Sequence, residues 1–164
     1  MGESPMPTPM PQWKPGPLDA LLGAWTFEIT YEGQPVMRGR AEFAWVEGGA
    51  FLLQHATADL LPTTSDVWRR NSPFPIVTLI GTDDPSGGFS YLYADGRGVR
   101  RVYRMTLDDG VWTIRGQAGP RFYQRFQGTF SGDGRAIAAY WERSADGQSW
   151  QRDFYIRYTK AQSE

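Results

Sequence analysis

The chain has 164 residues, enough for one domain with a buried core, and its 17 basic against 18 acidic side chains give a net charge of -1, leaving no positive excess to displace counterions from a nucleic-acid backbone. With no Cys and one His, disulfides, thiolate metal sites, cysteine nucleophiles and iron–sulfur clusters are excluded, and a transition-metal site is short of its favoured ligands. No apolar run of ~18 residues and no basic-then-apolar leader is present, so a soluble, cytoplasmic protein that makes no membrane contact is expected.

Residues 1–17 hold six of the twelve prolines and no apolar periodicity, which predicts a flexible tail ahead of a folded unit over 18–160. Pro17-Leu18-Asp19-Ala20-Leu21-Leu22-Gly23 carries Pro where a helical turn begins and Gly where it stops. From Ala24 onward the pattern alternates with period two between turn signals, the mark of strands half-buried in a sheet. Trp25, Phe27, Ile29 and Tyr31 share one face of the first strand, and Phe89, Tyr91 and Tyr93 share one face of a later one. Asp95-Gly96, Asp109-Gly110, Asp133-Gly134 and Asp146-Gly147 are tight-turn dipeptides, since Gly takes positive φ freely and Asp tolerates it. With turns near Gly33, Gly48-Gly49, Pro85–Gly88 and Gly116–Pro120 and one long loop, nine connections join about ten strands. The fold class expected is all-β, with hairpin following hairpin in an up-and-down antiparallel barrel, because closure removes the exposed edges of so wide a sheet. A barrel of that size encloses a hollow. The long connection, Asp59 to Pro75, is too apolar for a solvated linker; it is either a lid over the hollow or a loop packed across one barrel end.

The residues quoted at the first strand carry a resemblance. Leu22-Gly23-Ala24-Trp25 is similar to the Gly-x-Trp opening of the calycins, the superfamily of lipocalins, fatty-acid-binding proteins and nitrobindin-like barrels. Leu79-Ile80-Gly81-Thr82-Asp83, Gly98-Val99-Arg100-Arg101-Val102-Tyr103 and Gly128-Thr129-Phe130-Ser131 resemble an uncharacterised bacterial calycin-like family. The resemblance implies a small apolar ligand inside the barrel and, as in lipocalins, a final-strand cation on the indole of Trp25, here Arg157 or Arg152. Nitrobindin-like barrels hold haem through a His near the chain end; the matching Gln151–Tyr158 stretch has none, so haem is not expected and no cofactor or metal is assigned.

Chemistry-bearing residues are few. Strand parity puts His55 with Phe51, Leu53 and Thr57, which would face it inward as a polar anchor or general base. No Gly-x-Ser-x-Gly elbow supports a serine triad. Polar groups that alternation sets beside aromatics are Tyr91, Tyr93, Arg101, Tyr103, Gln124, Tyr140, Glu142 and Arg152. An inward Arg101 or Arg152 must pair with a carboxylate such as Glu142 or await an acidic ligand, because a buried unpaired charge is costly. Arg100, Arg101, Arg104, Arg121 and Arg125 among Tyr103, Phe122 and Tyr123 resemble a single-strand-binding platform, which the acidic balance opposes. The leading expectation is a binding module for a small hydrophobic or amphipathic molecule, acidic if Arg101 anchors it, lined by Phe27, Ile29, Phe43, Phe51, His55, Tyr91, Tyr93, Arg101, Tyr103, Gln124, Tyr140 and Phe154. A cofactor-free cyclase, isomerase or hydrolase with His55, Tyr103 or Glu142 as acid or base is the second reading. A barrel filled by its own aromatics is the third, and oligomeric state is left open.

Overall fold

A computed structural model describes residues 2–6 and 16–162; most of the expected Pro-rich tail lies outside the described residues. After a 3-10 turn at Pro17–Leu21 come β1 (Gly23–Tyr31), β2 (Gln34–Val46), a second 3-10 turn at Glu47–Gly49 and β3 (Phe51–Leu60). The helix α1 (Asp66–Asn71) precedes β4 (Ile76–Asp83), β5 (Gly88–Asp95), β6 (Arg100–Asp108) and β7 (Val111–Gly119). The chain ends with β8 (Phe122–Phe130), β9 (Ala136–Ser144) and β10 (Gln151–Lys160). Every strand pairs antiparallel with its sequence neighbour, and β1 pairs with β10 to close a ten-stranded barrel. The all-β expectation and the strand count both hold.

The Asp-Gly dipeptides do two different jobs. Between β6 and β7, Asp109 (φ 49) and Gly110 (φ 74) both take the left-handed conformation of a two-residue hairpin, whose twist matches that of the flanking strands. Gly96 follows another logic. Its amide donates to Pro73 O at 3.1 Å, and a Cβ there would lie 2.5 Å from Phe74 O, so the residue is small to let the β3–β4 connection come close.

One end of the barrel is filled. Leu18 and Leu21 of the first 3-10 turn are buried beneath it, and Trp25 donates from Nε1 to Leu21 O at 2.8 Å. Trp112 meets Phe126 at 4.7 Å and Phe43 at 6.2 Å between ring centroids, while Trp25 meets Phe130 at 6.3 Å, in edge-on contacts that such rings prefer. The cation on the Trp25 indole is Lys160, its Nζ 5.4 Å from the ring centroid, which corrects the expectation of Arg157 or Arg152. At the other end α1 and its flanking segments lie across the mouth. Trp68 is buried edge-on against Phe154 (5.0 Å) and Tyr31 (6.1 Å), and Phe74 stacks on Phe27 at 5.4 Å.

The outer wall carries ion pairs such as Arg38–Glu28 at 2.7 Å and Arg125–Glu142 at 2.9 Å. Among the described residues no helix is long and apolar enough to cross a membrane.

Candidate functional site

Beneath the β3–β4 connection the barrel holds a cavity of about 350 Å³. Eight of the residues named as ligand-lining candidates border this cavity: Phe27 and Ile29 from β1, Tyr91 and Tyr93 from β5, Arg101 and Tyr103 from β6, Gln124 from β8 and Phe154 from β10. Phe43 faces inward but belongs to the filled end, against Trp112.

Five residues expected to face inward are turned the other way. His55 and Phe51 share a face as expected, but it is the outer one: both are exposed, while Leu52, Gln54 and Ala56 are buried. Phe51 lies over Gly81 of β4, whose missing side chain leaves room for the ring. Tyr140 and Glu142 also face outward, because Ile137, Ala139 and Trp141 hold the inward positions of β9. Arg152 lies over the Tyr140 ring at 3.6 Å and beside Glu142 at 3.6 Å. The Arg152–Glu142 pair therefore exists, on the outside. A bulge between Arg152 and Phe154 causes this, since the extra residue Asp153 lets Arg152 point out while Phe154 points in.

The inward polar groups form two clusters. Deep in the barrel, Gln54 Oε1 accepts hydrogen bonds from Thr78 Oγ1 at 2.9 Å and Tyr91 OH at 3.3 Å, all three residues being buried. Nearer the mouth, Gln124 Oε1 accepts from Arg101 Nη1 at 3.0 Å and from the Tyr103 hydroxyl. Among the described residues Arg101 has no carboxylate partner; its guanidinium lies 5.5 Å from the Phe122 ring centroid and its Nε is buried without an acceptor. Arg97 differs, because it is tied to the fully buried Asp95 carboxylate at 2.6 Å, which also accepts from Tyr93 OH at 2.8 Å. Burial opposes ionisation of Asp95, yet the hydrogen bonds from Arg97 and Tyr93 hold its carboxyl below the usual range.

Burial pushes the hydroxyls of Tyr91, Tyr93, Tyr103 and Tyr158 up, although Arg101 partly offsets the effect at Tyr103. They remain neutral hydrogen-bonding groups at neutral pH. The half-buried Asp153 lines the same mouth, and burial pushes its carboxyl up against a smaller opposing pull from Arg143. Among the described residues no group of three or more His, Cys, Asp or Glu side chains is placed to hold a metal ion.

Sequence reading missed Trp68, Phe74, Gln54, Trp141, Arg143 and Asp153. For Trp68 and Phe74 a signal existed, the apolar content of the long connection. For Gln54 and Trp141 the signal was there but assigned to the wrong face, each lying one residue from an expected neighbour. Asp153 depends on a bulge that alternation does not announce.

No protein-family model and no curated protein matches the sequence. Among solved structures the chain is similar to the crystal structure of Rv2717c from M. tuberculosis, with a TM-score of 0.58 and 16% identity over 88% of this chain and 95% of that one. At that identity the likeness is one of fold.

Proposed function

We propose that the open half of the barrel binds a small amphipathic molecule bearing an acidic group, with Arg101 as its anchor. The observation that carries this reading is Arg101 itself: a guanidinium on the cavity wall that has, among the described residues, no carboxylate partner and no acceptor for its buried Nε. Ring-bearing side chains supply apolar area, and the few polar groups orient the guest. The barrel is read as calycin-like on its Gly-x-Trp strand start, the preceding 3-10 turn and the terminal-strand cation over the indole. An apolar interior under a charged outer wall is the reverse of a transmembrane barrel, which supports a partner in solution.

The test uses two fluorescent probes of similar size, anionic 8-anilino-1-naphthalenesulfonate and neutral N-phenyl-1-naphthylamine. Hydrogen bonds to a charged group contribute about 1.5–3 kcal/mol, so Arg101→Gln should weaken the anion roughly 10- to 150-fold and leave the neutral probe unchanged. Equal loss for both probes, or loss for neither, refutes Arg101 as the anchor. Native mass spectrometry of the protein from its own host would then identify the retained guest.

A second reading, a cofactor-free enzyme, keeps Tyr103 from its three expected groups, because His55 and Glu142 face outward. It gains Asp153, whose raised carboxyl pKa beside the mouth suits proton transfer. Turnover of a bound compound that is lost in Asp153→Asn would select it.

A further inference from the structure

The polar groups that β3, β4, β5, β6 and β8 present to the cavity are arranged with one sense. Gln54 and Gln124 are held in the same way, each carboxamide oxygen taking two hydrogen bonds from protein donors: Thr78 and Tyr91 in one case, Arg101 and Tyr103 in the other. A guanidinium can only donate, which fixes the Gln124 oxygen as the bonded atom. Gln124 is therefore left with its NH2, Gln54 has its oxygen on the two hydroxyls and its NH2 left over in the same way, and neither Nε2 donates to a protein acceptor among the described residues. The Arg101 Nε, itself buried, also has no acceptor among the described residues. The hydroxyl protons of the three tyrosines are already used, Tyr91 on Gln54, Tyr103 on Gln124 and Tyr93 on Asp95.

These donors are spaced along one wall. Gln54, Thr78, Tyr93 and Arg101 stand directly opposite one another across β3, β4, β5 and β6, and the Arg101 hydrogen bond carries the row on to Gln124. Strand spacing of ~4.8 Å separates Gln54 from Arg101 by three intervals. On the far side of the closed barrel, β9 and β10 present Trp141, Phe154 and Ile156. One side of the cavity donates hydrogen bonds at two separated places, and the other offers the apolar surface of Trp141, Phe154 and Ile156 with Arg143 and Asp153 at its mouth.

Resting on the reading of this cavity as a binding site, we propose that its guest is a flat aromatic anion with hydrogen-bond acceptors at two places, a quinone or keto acid in chemical class, and not a single-headed aliphatic chain. The acidic group sits at Arg101 and Gln124, and a carbonyl at the far end takes the Gln54 NH2. A guest with acceptors at both places satisfies donors that would otherwise stay unpaired. A fatty acid satisfies only those at the mouth.

Isothermal titration of the full chain with three probes decides this: anthraquinone-2-carboxylate, anthracene-2-carboxylate, which has the same ring frame without carbonyls, and dodecanoate. The quinone acid is expected to bind about tenfold or more tightly than the anthracene acid. Gln54→Leu should erase that difference and leave the anthracene acid within about threefold of its parent affinity. Equal affinity for the two aromatic acids on the unmodified chain, or tighter binding of dodecanoate, overturns the inference while the cavity remains a binding site. If none of the three binds, the cavity reading falls and the inference with it. The comparison on the unmodified chain needs no variant, so it stands even if Gln54→Leu fails to fold.

Discussion

Gly96→Ala tests whether the β3–β4 connection is held down by close backbone approach. The new Cβ would lie 2.5 Å from Phe74 O and 2.9 Å from Pro75 Cδ, about 1 Å short of ordinary contact. Neither neighbour is the free end of a flexible side chain, so the connection must move or the β5–β6 turn must. Movement breaks the hydrogen bond from Gly96 N to Pro73 O at 3.1 Å and strains that from Arg97 Nη1 to Asn71 O at 3.5 Å. It also slides Phe74 off Phe27. A lost backbone hydrogen bond costs about 0.5–1.5 kcal/mol and overpacking about 1–3 kcal/mol, so docking of residues 61–75 should weaken by about 2–4 kcal/mol. Local release of the segment is a lower-energy response than distortion of the barrel. Hydrogen exchange should therefore quicken in 61–75, with little change in the strands. The red-shifted Trp68 emission expected from its exposure is a second readout. Unchanged exchange in this segment, or a loss of protection spread through every strand, would refute the argument.

Two further predictions follow from groups near the mouth. Glu142→Gln removes the partner of Arg125 and Arg152, whose side chains are 45% and 40% exposed; stability should fall by no more than about 1 kcal/mol, less in high salt, with probe affinity unchanged. A change in affinity would contradict its place on the outer wall. For Asp153, burial makes the folded chain hold its proton more tightly than the unfolded chain does, so stability is lost as pH rises from the ordinary carboxyl range upward. Asp153→Asn should raise the melting temperature at pH 7, and the gain should vanish below about pH 3.5. Thermal melts at both values check the sign, and an equal shift at both would refute it.

The barrel was legible because its evidence is redundant: ten alternating runs and their turn residues all agree, and a misplaced boundary changes nothing. Which way a single strand faces is settled by one choice, and one residue of error reverses it. In Phe51-Leu52-Leu53-Gln54-His55-Ala56-Thr57 both faces carry large apolar groups, so the pattern does not decide. What decides is outside the strand: Gly81 on β4 provides a shelf for Phe51 on the outer surface, and the inner position opposite Thr78 is taken by Gln54. For β9 the reading followed the polar and aromatic pair Tyr140 and Glu142, yet Arg125 and Arg152 on the neighbouring strands draw both outward. Cross-strand partners carried the information that each strand alone lacked.

The same argument explains why one half of the barrel is hollow. In the filled half, inward positions on many strands carry rings that meet in the middle, as Trp112 does with Phe126 and Phe43. In the open half the rings meet along the wall, as Tyr103 does with Tyr91 and Trp141, while Ala56 of β3 borders free space and Gly39 of β2 leaves room for the Phe27 ring. On β3 the small side chain of Ala56 thus leaves part of the cavity open. Ala56 and Ala41 are both buried alanines, directly paired across β2 and β3, but only Ala56 borders the cavity. Ala56→Leu should then extend into free space, keep stability within about 1 kcal/mol of the parent, and abolish probe binding. Ala41→Leu forces its added carbons into packed surroundings at a cost of about 1–3 kcal/mol and should leave the mouth and its affinity intact. Denaturant melts and probe titration on the two variants separate the effects. Equal destabilisation by both would mean that the space beside Ala56 is not available to a guest, and the account of the open half would fail with it.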